Sequence, residues 1–344
     1  MIQKKHVAVL GGGSFGTVLA NFAASNSYQV SLWVRDAEQA LRINSEGANA
    51  TYHPDLKLSN NITANDDLAS VILGAEYVLV ATPSIIFEEV ISRLEPLINS
   101  SVAVISCTKG IKPEPFRTMT DIITQHLGHI IGNKVGVLSG PNLAKEIAEE
   151  KIAGTVIASE NERVAIEIKS MLSSNTFKVF SSQDILGVEL AGALKNIYAI
   201  CCGIAHAKLV GENALGFILT RSMAEMSRFA VAKGANPITF LGLAGMGDLM
   251  ATCTSRLSRN FQLGELIAMD LSLIEAKERV GQVAEGARTL EVVFHEANKM
   301  NVSMPLVNSL YKILYSDASS DQLIQDLIDH PNEVDVEFTY QEQS

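Results

Sequence analysis

His6-Val7-Ala8-Val9-Leu10-Gly11-Gly12-Gly13-Ser14-Phe15-Gly16 reads as a short apolar strand that breaks on glycine and passes into a helix, Thr17–Ala24. A glycine-rich turn of no function shows the same G-x-G-x-x-G spacing. Context separates the two readings. Here the spacing follows a strand and opens a helix inside a strand–helix–strand unit, as a dinucleotide-binding loop requires. Each glycine then has a physical task. Gly11 permits the tight turn, Gly13 lets backbone approach a pyrophosphate, and Gly16 lets the helix pack on the strand. The free N–H groups at the helix start face the phosphates.

Outward from this loop, short apolar runs alternate with helical patterns, which predicts parallel strands joined by crossover helices. The expected strands are His6–Leu10, Gln29–Val34, Tyr77–Ala81, Val102–Ser106, Val135–Leu138, Thr155–Ala158 and Phe177–Phe180. Their unbroken apolar character suits strands covered on both faces. Ile85–Leu97 and Arg163–Leu172 carry apolar residues at helical spacing. Past Asp184 almost only helical periodicity remains, interrupted at Gly203, Gly234–Pro237, Gly281, Pro305 and Pro331. The expectation is an α/β protein: an N-terminal Rossmann-like doubly wound sheet, residues 1–183, followed by an all-helical domain, residues 184–344.

At 344 residues the chain is long enough for two cores. Its net charge of −11 argues against a nucleic-acid or anionic-membrane partner, which needs a basic surface; a few local cations still suffice for one small anionic substrate. Cys107, Cys201, Cys202 and Cys253 fit no zinc or C-x-x-C spacing and read as buried thiols of a reducing cytoplasm. The N-terminus resembles a secretory signal, with Lys4 and Lys5 before an apolar run, but Gly11–Gly13 would break the apolar helix that targeting needs. No other stretch reads as a membrane span. His126 and His129 share a helical face without acidic or thiol companions in sequence, so no metal is expected. The sequence leaves the oligomeric state open, a homodimer included.

Several other stretches carry chemistry. The second strand ends at Arg35-Asp36: an acidic residue there receives the ribose of NAD, and an arginine accommodates the extra phosphate of NADP, so either cofactor fits. Lys109 follows the fourth strand at its carboxyl end, where ligands sit in open α/β sheets, although a loop lysine would look the same. Ser139-Gly140-Pro141-Asn142 is either a turn with a capping asparagine or a ligand-facing backbone. Lys195 lies in the apolar helical stretch Val188–Ala205. It either snorkels to water or is buried, placed to take a hydroxyl proton. Gly242–Gly247 follows no strand, so its glycines read as close packing or a helix break before Asp248. Ser258-Arg259-Asn260 is either a capped surface arginine or an anion clamp, a fork of donors with small polar neighbours.

Taken together, GGGSFGTVLA, SCTKGI, SGPNLAKEI, ELAGALKNIYAI, GLAGMGDL, SRN and VAEG, in that order, resemble NAD(P)-dependent glycerol-3-phosphate dehydrogenase of the bacterial type, over most of the chain. The resemblance implies interconversion of sn-glycerol 3-phosphate and dihydroxyacetone phosphate, supplying glycerol phosphate for phospholipid synthesis. It implies cofactor contacts at Ser14, Phe15, Arg35, Lys109, Ala144, Arg259, Val283 and Glu285, beside Gly11, Gly13 and Gly16. It makes Lys195 the proton acceptor and surrounds the substrate with Lys109, Gly140, Asn142, Lys195, Asp248, Ser258, Arg259 and Asn260. Two positions depart from the family's common form: Phe15 stands for Trp or Tyr, and Asn142 for Ser or Thr. The rival readings are a related two-domain dehydrogenase, such as a ketopantoate reductase, and a non-enzymatic NAD(H) sensor, which would need the glycine loop but not Lys195, Asp248 and Arg259.

Overall fold

The computed structural model describes residues 5–281, 284–316 and 318–328. The chain forms two compact units. The first comprises the chain up to Gly192 and the return segment Gly242–Asp248; the second runs from Ala193 to Leu241 and again from Leu249 onward.

In the first unit the strands are β1 (His6–Leu10), β2 (Gln29–Trp33), β3 (Ile62–Asn65), β4 (Tyr77–Val80), β5 (Ala103–Ser106), β6 (Ile111–Lys112), β7 (Arg117–Thr118), β8 (Val135–Ser139), β9 (Ala153–Ala158) and β10 (Phe177–Ser182). The short pair β6–β7 stands apart. The other eight make one sheet in the order β10-β9-β8-β5-β4-β1-β2-β3. The helices are α1 (Ser14–Ser25), α2 (Ala37–Glu46), α3 (Leu68–Ile72), α4 (Ser84–Ser92), α5 (Met119–Ile131), α6 (Ala144–Ala148) and α7 (Glu162–Leu172).

The strands alternate sides as their apolar runs require. Val7 and Val9 enter one buried cluster with Leu19, Leu32 and Ile105, while Ala8 and Leu10 enter another with Val78, Phe87 and Val104. The chain reverses direction across the sheet between β1 and β4, and that switch point is where ligands bind in such sheets.

The sheet departs from the sequence reading at two places. β9 runs antiparallel to β8. The connecting helix α6 has five residues, so it rises only about 8 Å against roughly 16 Å for a five-residue strand and cannot return the chain for a parallel pairing. β3 was not foreseen, because Ile62-Thr63-Ala64-Asn65 is short, half polar and pairs only with β2.

The second unit is helical: most of α8 (Ile185–Ala207), then α9 (Glu212–Ala232), α10 (Asp248–Cys253), α11 (Arg259–Ile267), α12 (Leu273–Val280), α13 (Glu285–Lys299), α14 (Pro305–Tyr315) and α15 (Gln322–Ile328). Contrary to the sequence reading, α8 is long and apolar enough to cross a membrane, with a mean hydropathy of 1.5 over its best window; 89% of that window is buried inside the protein. It is a core helix. The Gly242–Gly247 segment becomes a single π turn, Leu243–Gly247, that leads into α10. His126 and His129 also gain acidic neighbours, since Glu88 and Glu95 each come within 3.4 Å of them. Even so, no group of three or more His, Cys, Asp or Glu among the described residues is disposed to hold a metal.

Candidate active site

The glycine loop leaves β1 at the switch point. Gly11 has φ +117°, and a Cβ there would lie 2.7 Å from the Ala81 carbonyl oxygen of the strand next door. A Cβ on Gly16 would overlap the Gly11 carbonyl oxygen. Gly13 differs, because among the described residues, its own chain neighbours aside, no heavy atom lies within 4 Å of where its Cβ would be. It is the N-cap of α1 and brings no side chain to the helix end, whose first intrahelical bond is donated by Thr17 N. The N–H groups of Ser14, Phe15 and Gly16 precede that bond and stay available to an anion. Close packing at Gly11 and Gly16 with an open cradle at Gly13 is the arrangement a dinucleotide phosphate needs, so these residues fit the expected cofactor.

At the end of β2, Asp36 is the N-cap of α2 and its carboxylate accepts from Glu38 N at 2.9 Å. That use as a cap competes with a ribose hydroxyl. Arg35 beside it is exposed.

Beyond β5, Lys109 is half-buried and its ammonium is held on two sides, by the Gly140 carbonyl at 2.9 Å and by Asp248 Oδ2 at 2.5 Å. The Asp248 side chain is 1% exposed, so removal of Lys109 would strand a buried charge. Gly140 is pinned against β9, where a Cβ would meet Thr155 Cα at 2.8 Å. Asn142 donates to Thr155 Oγ1 at 3.0 Å, while its own Oδ1 and the buried Ser139 Oγ have no hydrogen-bond partner among the described residues. Ser139 Oγ sits where a Cβ on Gly192 would be, and that Cβ would be 3.6 Å from Lys109 Cε. Gly192 is therefore the point at which α8 passes the end of β8. Ala144 opens α6 and packs on the sheet core.

In the helical unit, Lys195 is 6% exposed, which rules out snorkelling, and its ammonium donates to Thr252 Oγ1. Thr252 stands one turn after Asp248 in the sequence of α10. Ser258 is the N-cap of α11 and accepts from Phe261 N at 3.3 Å. Arg259 is the exposed first residue of that helix. Asn260 Nδ2 donates to Asn196 Oδ1 at 3.0 Å, and its Oδ1 accepts from Gly286 N at 2.9 Å. A Cβ on Gly286 would lie 2.7 Å from that same Oδ1. The tie joins α8, α11 and α13, which carry Lys195, Arg259 and Glu285, and it leaves Asn260 one N–H for a ligand. Glu285 is half-buried in the first turn of α13. Val283 lies outside the described residues.

Thr252, Asn196, Thr155 and Gly192 were missed in the sequence. Only Thr252 left a trace there, its helical spacing from Asp248.

Both halves of the chain match known proteins of one family. The family description "NAD-dependent glycerol-3-phosphate dehydrogenase N-terminus" matches residues 6–165, and its C-terminal counterpart matches residues 184–325. The glycerol-3-phosphate dehydrogenase (NAD(P)+) of Alcanivorax borkumensis is 48% identical over 339 residues, 98% of either chain. The crystal structure of glycerol-3-phosphate dehydrogenase from Coxiella burnetii superposes with a TM-score of 0.89 at 34% identity, covering 95% of this chain and 99% of that one. A ketopantoate reductase from Ralstonia eutropha reaches a TM-score of only 0.56 at 15% identity over 94% of this chain and 98% of its own, a likeness of fold alone. On the match of both halves and of near-full-length relatives, the chain belongs to the NAD-dependent glycerol-3-phosphate dehydrogenase family.

Proposed function

We propose that the protein interconverts sn-glycerol 3-phosphate and dihydroxyacetone phosphate with NAD(H) or NADP(H), residues 1–183 binding the dinucleotide and residues 184–344 carrying the catalytic base. The observation that carries this reading is the burial of Lys195 with its ammonium on Thr252. A buried lysine held by a hydroxyl is expensive to keep, and proton transfer explains the expense. The fit of the Gly11, Gly13 and Gly16 loop supports the cofactor, with Ser14, Phe15, Arg35, Lys109, Ala144, Arg259, Val283 and Glu285 as further contacts. When bound, the nicotinamide supplies the hydride acceptor or donor.

The chain's own residues do the rest. Lys195 takes the hydroxyl proton during oxidation and returns it during reduction. Lys109, aimed by Asp248 and the Gly140 carbonyl, donates to the reacting oxygen and stabilises charge that develops there. Arg259 pairs with the phosphate, aided by Ser258 and by the spare N–H of Asn260, so binding energy away from the reacting carbon orients it. Gly140 and Asn142 line the same substrate. The protein acts in the cytoplasm and supplies glycerol phosphate for phospholipid synthesis. Loss of NADH or NADPH absorbance on addition of dihydroxyacetone phosphate tests the reading, with ketopantoate as control; turnover of ketopantoate alone would sink it.

A further inference from the structure

The glycine loop is held from outside by a segment that its motif does not contain. Gln39 on α2 and Asn49 beyond it each donate to the Gly12 carbonyl at 2.9 Å, and Asn49 also donates to Thr17 Oγ1 at 2.8 Å. Asn49 forms an isolated β-bridge with His53, and both are buried, at 1% and 5% exposure. His53 Nε2 lies 2.9 Å from the Ser14 carbonyl oxygen and 2.9 Å from Ser14 Oγ. A carbonyl oxygen has no proton to give, so Nε2 carries the hydrogen and donates. That nitrogen then has no lone pair with which to accept from the Ser14 hydroxyl. The hydroxyl accepts from His53, and its own proton is left to point elsewhere. Ser14 stands in the first turn of α1, where uncapped N–H groups and the helix dipole favour an anion.

We infer that His53 is a positioning residue for the dinucleotide phosphates: by occupying the acceptor side of Ser14 it makes that hydroxyl a donor toward the pyrophosphate, while Asn49 and Gln39 fix the Gly12 peptide. The inference rests on the cofactor reading above and adds to it a residue outside the glycine motif. A serine free to rotate would spend part of its time offering a lone pair to a phosphate oxygen, which is repulsive. The histidine removes that choice before the ligand arrives.

The test is direct titration of NADH and NADPH by fluorescence, with melting temperatures of the unliganded variants alongside. His53→Asn stops one methylene short of Ser14 and is expected to bind about tenfold more weakly, whereas His53→Gln, whose amide reaches the place of Nε2, stays within about threefold of wild type. In a Ser14→Ala background the His53→Asn loss shrinks to about threefold or less, because the hydroxyl it orients is gone. The KM for dihydroxyacetone phosphate at saturating cofactor does not move. If His53→Asn fails to melt cooperatively, His53→Met takes its place with the same expectation. Equal affinities for the Asn and Gln variants, or an equal loss with and without the Ser14 hydroxyl, overturn the inference. Wild-type protein that binds neither nucleotide overturns the cofactor reading first, and this inference with it.

Discussion

Lys195 shows what one side chain decides. Methionine keeps its length and apolar stem, so Lys195→Met should pack against its buried neighbours in α8 and melt close to wild type. Only the ammonium on Thr252 and the proton it exchanges are lost. Turnover is expected to fall by about 10²–10⁴ while NADH still binds, as read by kcat and fluorescence on the same sample. A variant within a few-fold of wild-type kcat would remove Lys195 from the chemistry. Arg35 bears on cofactor choice instead. Its neighbour Asp36 is engaged in capping α2, and the exposed guanidinium is placed for an anion. Arg35→Ala should lower kcat/KM for NADPH about tenfold more than for NADH, a modest factor because solvent screens an exposed pair. An unmoved ratio would mean that backbone or Asp36 governs the choice. Both residues were legible in the sequence, one by a charge set in an apolar helix and the other by its place at a strand end. The Thr252 and Asn196 contacts were not, since a pairing between helices depends on which faces meet.

Among elements, the crossing of α8 with α11 is the tightest test of packing. Gly203 and Gly264 face each other, and a Cβ on either would lie 3.0 Å from the other's Cα. Gly264→Ala must push the helices apart. The expected cost is about 1–3 kcal/mol, seen as a lower melting temperature, with a raised KM for dihydroxyacetone phosphate as Arg259 on α11 shifts from Lys195 on α8. Gly216→Ala on α9 is the control, since open space surrounds that position and alanine favours a helix.

Two helix starts are held by buried carboxylates. Glu189 accepts from Thr120 N at 3.0 Å on α5, and Glu225 accepts from Leu306 N at 2.6 Å on α14 and from the Tyr198 hydroxyl at 3.2 Å. Burial pushes both up to about 7, against 4.5 for an ordinary glutamate. Between those values the folded chain holds a proton that the unfolded chain has lost. Their stabilising effect is thus complete below pH 4.5 and fades as pH rises through about 7. From pH 5 to 7.5, urea unfolding should show wild type losing on the order of 3 kcal/mol more than Glu225→Gln. Parallel stability profiles for the two proteins would refute this.

For the whole molecule, the proposed function sets a phosphorylated substrate against a net charge of −11, and the cations it assigns to that substrate are local: Lys109 on its buried aspartate, Lys195 on Thr252, and Arg259 at a helix start. A ligand that binds only the folded chain stabilises it by mass action. NADPH at about 100 times its dissociation constant should add about 2.7 kcal/mol and raise the melting temperature by several degrees. No shift with either nucleotide would count against the glycine loop as a phosphate cradle.

Read alone, the sequence determined the doubly wound sheet, the helical second half, the glycine loop, and a lysine set in an apolar helix. Each of these is written in local periodicity or in residue types at short spacing: Val7 and Val9 against Ala8 and Leu10, Gly11 to Gly16, and a lysine among leucines and isoleucines. The tertiary structure alone decided the antiparallel turn of β9, the burial of α8 rather than its exposure to lipid, and the partners that aim each charge. Asp248 reaches Lys109 from 139 residues away, and His53 reaches Ser14 from 39. Hydrogen bonds act over about 3 Å whatever the separation along the chain, so such pairs leave no period in the sequence and exist only once the backbone has brought them together.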